Sequence, residues 1–407
     1  MNGLVSEMSS RNVVAQIRAF NQDRDPQLLK LKYQTMASNA FAFLRGSCHL
    51  FYQDIPADAA IDQMPPVWLC GDLHLQNFGS YRGGDRLVYF DINDFDESVL
   101  APCSWDAARF LTSILVGAHT LGISNEEAQG LCKCFLESYT AALKTGKACT
   151  IHQETATGLV RELLKSLRKR DRKTFLTQRT ELKSKQHKLK IIPGKTFPVT
   201  LEEREKITTL IDKWAASQPN PKFFKVLDVA HRIAGTGSLG LDRYVLLVEG
   251  NGSPYRNYLL DLKAARASSL YVHLQRQPVW TSEADRITAI QHRFQESPPA
   301  LLNSLKLDGK SYVLRELQPT ADRVDLTHWN GKIKRLEKII QTMAETTAWG
   351  QLRSGGRQGS AIADDLIAFA EDANNWHNLL LDYSRAYATQ IEADFIEFQE
   401  AFNHKTL

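Results

Sequence analysis

The chain has 407 residues, of which 43% are hydrophobic, 24% charged and 9% aromatic. This composition excludes disordered, collagen-like and disulfide-scaffold proteins, and the length allows a large core and two to three domains. The longest mostly apolar stretch, residues 110–123, has 14 residues and is too short to span a bilayer. Because no basic segment and apolar stretch follow Met1, we expect a cytoplasmic protein without membrane association.

The net charge of +4 is too small to argue for nucleic acid as a partner, but the charge is uneven. Residues 161–195 contain 13 Lys/Arg and 3 Asp/Glu. This basic stretch is either a solvated helix face and loop or a patch that attracts phosphate-bearing ligands, and the sequence leaves both open. All six cysteines precede residue 150 without zinc-site spacing, so we expect reduced, mostly buried thiols.

The first half of the chain predicts helices and a few strands. Pro26 after Asp25 is typical of a helix start, and the capping box at 124–127 predicts a helix through Leu143. Residues 67–70 and 86–91 are predicted strands. Pro193-Gly194 and Pro219-Asn-Pro221 then indicate the boundaries of a linker region.

The second half predicts a hairpin sheet followed by helices. Glycine, asparagine and serine separate four predicted strands, which favours antiparallel pairing; the strands are 223–234, 244–249, 258–263 and 312–317. A helix over residues 283–294 is predicted between the last two strands. After Trp329 the pattern is helical, with a break at residues 353–359.

The densest polar cluster follows the first predicted strands, at residues 70–79 and 90–97. Asp72, Asn77 and Asp94 offer hard oxygen ligands that suit Mg²⁺, and one carboxylate could instead take a proton from a hydroxyl nucleophile. Four acids lie within residues 91–97, and such a group repels itself unless a cation compensates it. The alternative is that these residues only cap turns.

A glycine-rich segment lies between the first two strands of the hairpin sheet. It contains Gly235, Thr236, Gly237, Ser238 and Gly240. A strand follows rather than a helix, which argues against a dinucleotide fingerprint and favours a turn whose backbone N–H groups approach phosphates. A plain flexible hairpin is the alternative.

A lysine, Lys263, ends the next predicted strand, 23 residues after Gly240. The alternative is that Lys263 is an ordinary surface lysine. Glycine turn, strand and lysine together match the layout by which kinase-type folds hold ATP phosphates. Glu283 and Glu296 are the candidates for the glutamate that would pair with Lys263, and residues 312–318 are interpreted as the strand entering an adenine-binding hinge.

The segment 71–77, GDLHLQN, resembles the catalytic loop of aminoglycoside phosphotransferases and related kinase-like enzymes. The resemblance implies that Asp72 is the catalytic base, that His74 is a second catalytic residue, and that Asn77 and Asp94 bind Mg²⁺. It also implies that Asp106 braces the loop. Two departures are Cys70 in place of the leading histidine and an inverted order, because Asp72 precedes the glycine turn by 163 residues.

Residues from about 18 to 402 also resemble the bacterial family called domain of unknown function 2252. The resemblance rests on the segments FAFLRG at 41–46, GDLHLQNFG at 71–79 and NDFDE at 93–97. It implies no substrate, so the kinase-like assignment depends on the residues described above.

We therefore expect an α+β, two-lobe, protein-kinase-like fold in permuted order. Residues 1–220 would form the first part of a large helical lobe, 221–320 a small ATP-binding sheet lobe, and 321–407 the helices that complete the large lobe. The expected function is ATP- and Mg²⁺-dependent phosphoryl transfer to an unidentified small-molecule or protein hydroxyl. The alternatives are a nucleotide-binding module without phosphoryl transfer, an AMP-transferase, or a metallophosphoesterase.

Overall fold

The computed structural model of the protein describes residues 11–55, 60–183, 186–252 and 255–406. Most of this chain is helical. The α-helices are α1 (Val13–Asn21), α2 (Pro26–Met36), α3 (Ala40–Gly46), α4 (Cys48–Gln53), α5 (Cys103–Leu121), α6 (Asn125–Lys144), α7 (Gly158–Lys169), α8 (Arg172–Thr177), α9 (Leu201–Ala215), α10 (Glu283–Phe294), α11 (Ile333–Ser354), α12 (Ala363–Glu371) and α13 (Ala373–Asn403).

The strands form one large sheet and three two-stranded ribbons. The strands are β1 (Pro66–Leu69), β2 (Phe78–Arg82), β3 (Val88–Ile92), β4 (Val99–Pro102), β5 (Thr180–Lys183), β6 (Gln186–Leu189), β7 (Thr196–Pro198), β8 (Val226–Arg232), β9 (Arg243–Val248), β10 (Tyr258–Ala264), β11 (Asn303–Leu307) and β12 (Lys310–Glu316). The large sheet has the order β11-β12-β10-β9-β8-β7 and is antiparallel throughout. The expected mixed α+β architecture, with a small antiparallel sheet and a larger helical part, is therefore confirmed.

The two faces of the large sheet have different roles because side chains alternate along each strand. On one face, Leu260 and Leu262 of β10 pack with Ile207 and Ile211 of α9 in a buried apolar cluster. On the opposite face, β10 carries Asp261 and Lys263. That second face is the one directed toward the rest of the molecule.

The helical part is held together by α5, α6, α11 and α13. The apolar pattern of α5 buries almost the whole helix between α6 and α13, and α11 packs along α6. Both helix starts expected from the sequence are found: Asp25 caps α2, and Ser124 with Glu127 forms a capping box on α6. Chain segments from both ends thus build one core.

The first two predicted strands pair with partners that the sequence did not indicate. β1 pairs with β4, and β3 pairs with β2. β7 and α9, which precede residue 221, also pack with the large sheet. No helix in the described ranges has the length and apolar character to cross a bilayer. All six cysteines are free thiols.

Candidate functional site

The predicted loop, acidic segment and glycine turn meet at one cavity of about 370 Å³. It lies between the helical part and the cleft-facing side of the large sheet. Of the residues singled out in the sequence, those that line it are Asp72, His74, Asn77, Asp94, Gly235, Thr236, Gly237 and Ser238. Gly240 and Lys263 are not part of the lining but contact residues that are, so the predicted site residues form one group in space.

The loop that carries Asp72 is fixed from below by α5. The buried carboxylate of Asp106 accepts hydrogen bonds from the backbone amides of Cys70 (3.0 Å) and Gly71 (3.1 Å). Gly71 has φ +80°, and a Cβ there would lie 2.1 Å from the carbonyl oxygen of Glu97, so only glycine fits. The bracing contact implied for Asp106 is therefore present, with Cys70 in the place of the histidine.

Asp72 forms an ion pair with Arg109, a fully buried residue three positions after Asp106 on α5. Arg109 Nε donates to Asp72 Oδ1 at 2.7 Å. Its Nη2 lies 2.5 Å from the same oxygen and also donates to the carbonyl of Leu44. Burial raises the pKa of Asp72 to about 6, although Arg109 opposes this shift. Asp72 is thus a carboxylate poised near neutral pH. Arg109 was not predicted as a site residue, and its only signal in the sequence is an arginine within a mostly apolar helix.

Asn77 joins the loop to the acidic segment. Its amide nitrogen donates to the carbonyls of Asp72 (3.1 Å) and Asp94 (3.3 Å). Both hydrogen bonds use the amide nitrogen of Asn77, so its amide oxygen remains available to bind a cation. Asn77 therefore ties the backbone of Asp72 to that of Asp94 as well as offering an oxygen ligand.

Lys263 reaches Asp94 across the cleft. Its Nζ lies 3.7 Å from Asp94 Oδ1 and forms a closer ion pair with Asp96. Burial alone would raise the pKa of Asp94, but Lys263 and Arg315 outweigh it and bring that pKa down to about 2. Asp94 is therefore ionised, and the expected approach of Lys263 to Asp94 is found despite their 169-residue separation.

The partner of Lys263 is not a glutamate. Glu283 pairs with Arg286 on the same helix, and Glu296 pairs with Arg353. Both glutamates considered for this role are thus used elsewhere. Asp96 is the ion-pair partner of Lys263, because the acidic segment lies against the end of β10.

The glycine segment is a turn between β8 and β9, as expected. Gly235 and Gly240 have φ of +80° and +90°. Two cations from the α1–α2 region bind its carbonyls: Arg24 donates to the carbonyl of Gly237 at 2.6 Å, and Lys32 donates to the same atom at 3.2 Å. The sequence analysis missed both cations, since only the tertiary structure brings α2 to this turn.

His74 is a buried, neutral side chain. Its Nδ1 accepts from the amide of Gln76 at 3.0 Å, and Arg45 Nε lies 3.3 Å from Nε2. Burial and Arg45 hold the pKa of His74 well below its usual range. These contacts suit a residue that shapes the loop better than one that exchanges protons.

Arg323 also lines the cavity and was not predicted from the sequence.

A family model described as an uncharacterized protein conserved in bacteria (DUF2252) matches residues 24–401. This match covers nearly the whole chain, so the chain belongs to that family. Neither the curated proteins nor the solved structures contain a match.

Proposed function

We propose that this member of the DUF2252 family is an ATP- and Mg²⁺-dependent phosphotransferase with a permuted kinase-like arrangement. The observation that carries the proposal is that Asp72, Asp94 and the glycine turn line one cavity, and that Lys263 contacts Asp94 beside it. These are the base, the metal-binding carboxylate, the phosphate-binding lysine and the phosphate-covering loop that phosphoryl transfer requires. The acceptor would be a hydroxyl of a small molecule or a protein.

Asp72 is the proposed base. Burial holds its pKa at about 6, so it is ionised at neutral pH yet basic enough to accept the proton of an incoming hydroxyl. Arg109 fixes the carboxylate through Oδ1, which leaves Oδ2 for the acceptor. Asp72 would thereby orient the nucleophile as the phosphoryl group transfers.

Asp94 and the amide oxygen of Asn77 would hold Mg²⁺. The described residues contain no cluster of three His, Cys, Asp or Glu side chains that could bind a metal by themselves. Mg²⁺ commonly uses one or two protein ligands and completes its shell with water and substrate phosphates, and an ionised Asp94 fits that role. When bound, the ion would neutralise charge on the phosphates.

The large sheet supplies the rest of the phosphate site. Counted from the strand before the glycine turn, Lys263 lies on the third strand, which is also the position of the phosphate-binding lysine in protein kinases. Arg323 is one of four arginines that line the cavity and could add positive charge; the others are Arg24, Arg45 and Arg266. The ion pair of Lys263 with Asp96 would give way in part when a triphosphate arrives.

A second candidate, transfer of AMP, is favoured by the contacts of the segment that follows β12, where the adenine-binding hinge was expected. Arg232 donates to the carbonyl of Gln318 at 2.8 Å, and Leu176 and Leu189 pack against Leu259. A nucleobase at the expected hinge would therefore find the carbonyl of Gln318 already in use. The nucleoside could instead lie on the side of the cavity lined by Phe20. The triphosphate would then run in the opposite direction from that of the first candidate and would bring its α-phosphate, not its γ-phosphate, toward Asp72.

The proposal is tested by thermal unfolding of the full chain with ATP, with Mg²⁺, and with both. A ligand at 100 times its Kd stabilises the folded state by about 2.7 kcal/mol, so binding should appear as a clear rise in Tm. ATP labelled at the α or γ position then separates the two candidates by which label becomes protein- or acceptor-bound. For the aspartate variants described in the Discussion, the matched control is Asp382→Asn, which changes an exposed aspartate on α13. No stabilisation by ATP with Mg²⁺ would refute both candidates.

A further inference from the structure

A second cavity of about 300 Å³ shares no lining residue with the candidate active site. It is enclosed by the β2–β3 ribbon, the α7–α8 segment and the adjacent ends of β10 and β12. Four arginines line it: Arg82, Arg86, Arg170 and Arg172. The last two come from the basic stretch 161–195, which the proposed function does not use.

The charges in this cavity are only half compensated. Arg86 pairs with Glu316 (3.1 Å) and Arg170 with the buried Asp322 (3.0 Å). Within the described ranges, neither Arg82 nor Arg172 contacts a carboxylate; the nearest acceptors are backbone carbonyls. Four guanidinium groups thus share two carboxylates in this cavity, and Arg82 and Arg172 have no direct ion pair there.

Arg172 is held in a fixed orientation that suits binding of an anion. Its guanidinium stacks on the ring of Tyr258 at 3.6 Å, which fixes its orientation. Its Nε, and the amide nitrogen of Gln318 on the same lining, are buried donors without an acceptor. Since buried donors normally find partners, an acceptor supplied by a ligand would complete both.

We propose that this cavity binds a small molecule carrying a phosphate monoester. Arg82 and Arg172 match the two charges of such a group, and guanidinium groups bind phosphate oxygens with fixed geometry. The apolar side chains of Phe175, Leu176 and Leu317 line the same space and would receive the organic part of the ligand. A cavity of about 300 Å³ suits a small ligand rather than a polymer.

The test is calorimetric titration of the full chain with inorganic phosphate and with phenyl phosphate. We expect saturable binding, tighter for phenyl phosphate because the apolar wall adds contact. Arg172→Gln should weaken it by at least ~10-fold, since a charge-assisted hydrogen bond is lost. Arg168→Gln, an exposed arginine of the same basic stretch, is the matched control and should bind as the unmodified chain does.

Glu316→Gln tests the proposal through a gain in affinity, which a poorly folded variant would not produce. It releases Arg86 from its ion pair and should tighten binding several-fold. Arg323→Gln in the candidate active site should leave phosphate binding unchanged, and Arg172→Gln should leave stabilisation by ATP with Mg²⁺ unchanged. The proposal is overturned by absent binding, by equal affinity for the two probes, or by loss of binding in Arg323→Gln alone.

Discussion

The strongest quantitative prediction concerns Asp91, the buried aspartate of β3 that does not line the candidate site. Burial raises its pKa to about 7, against the opposing effect of Arg353. An aspartate in an unfolded chain has a pKa of about 3.9. The folded state therefore holds this proton more tightly, and the stability that it contributes is full below about pH 4 and is lost as pH rises through about 7.

The magnitude follows from the linkage relation. Between pH 5 and pH 7 the folded chain retains a proton that the unfolded chain has released, which costs about 1.4 kcal/mol per pH unit. Because half of the folded chains have lost the proton at pH 7, the slope falls near that pH and the sum over the two units is about 2 kcal/mol. Asp91→Asn cannot lose the proton, so the variant should lack this part of the decline and should be more stable than the unmodified chain at pH 8.

The assay is urea unfolding of the unmodified chain, Asp91→Asn and the control Asp382→Asn at pH 5, 6, 7 and 8. Asp72 and Asp106, whose pKa values are also raised by burial to about 6, contribute equally in all three and cancel in the comparison. Equal pH slopes in the unmodified chain and in Asp91→Asn would refute the reasoning, because they would mean that Asp91 is already ionised in the folded state at pH 5.

The other predictions concern the candidate site. Asp72→Asn should keep nucleotide affinity within a few-fold but reduce turnover by at least ~10²-fold, and equal turnover would remove Asp72 as the base. Asp94→Ala should weaken ATP binding with Mg²⁺ far more than binding without it, as measured by titration at fixed metal concentrations. Lys263→Met should weaken ATP binding about 10-fold through the loss of a charge-assisted contact; an unchanged Kd would contradict a shared phosphate site. Gly240→Ala should cost about 1–3 kcal/mol in urea unfolding, because φ is +90° and the added Cβ would lie 2.7 Å from a neighbouring side chain. Gly309→Ala, at φ +76° in open space, separates the backbone strain from that collision.

Local patterns in the sequence were enough to predict the parts of the site that follow one another along the chain. The polar residues after β1 and β3, the glycine turn between β8 and β9, and Lys263 near the end of β10 were all placed correctly on their elements. Each of these features depends on strand alternation, capping or turn chemistry, which involves residues a few positions apart. The helix starts at Asp25 and Ser124 were predictable for the same reason.

Contacts between distant segments could not be read from the chain. The partner of Lys263 was expected among glutamates near α10, whereas the structure selects Asp96 because the acidic segment passes under β10. Arg24 on the glycine turn and Arg109 on Asp72 were missed because each lies far in sequence from the group that it holds. Local propensity determines which elements form, but which side chains meet across a cleft depends on how those elements pack, and that is decided only by the tertiary structure.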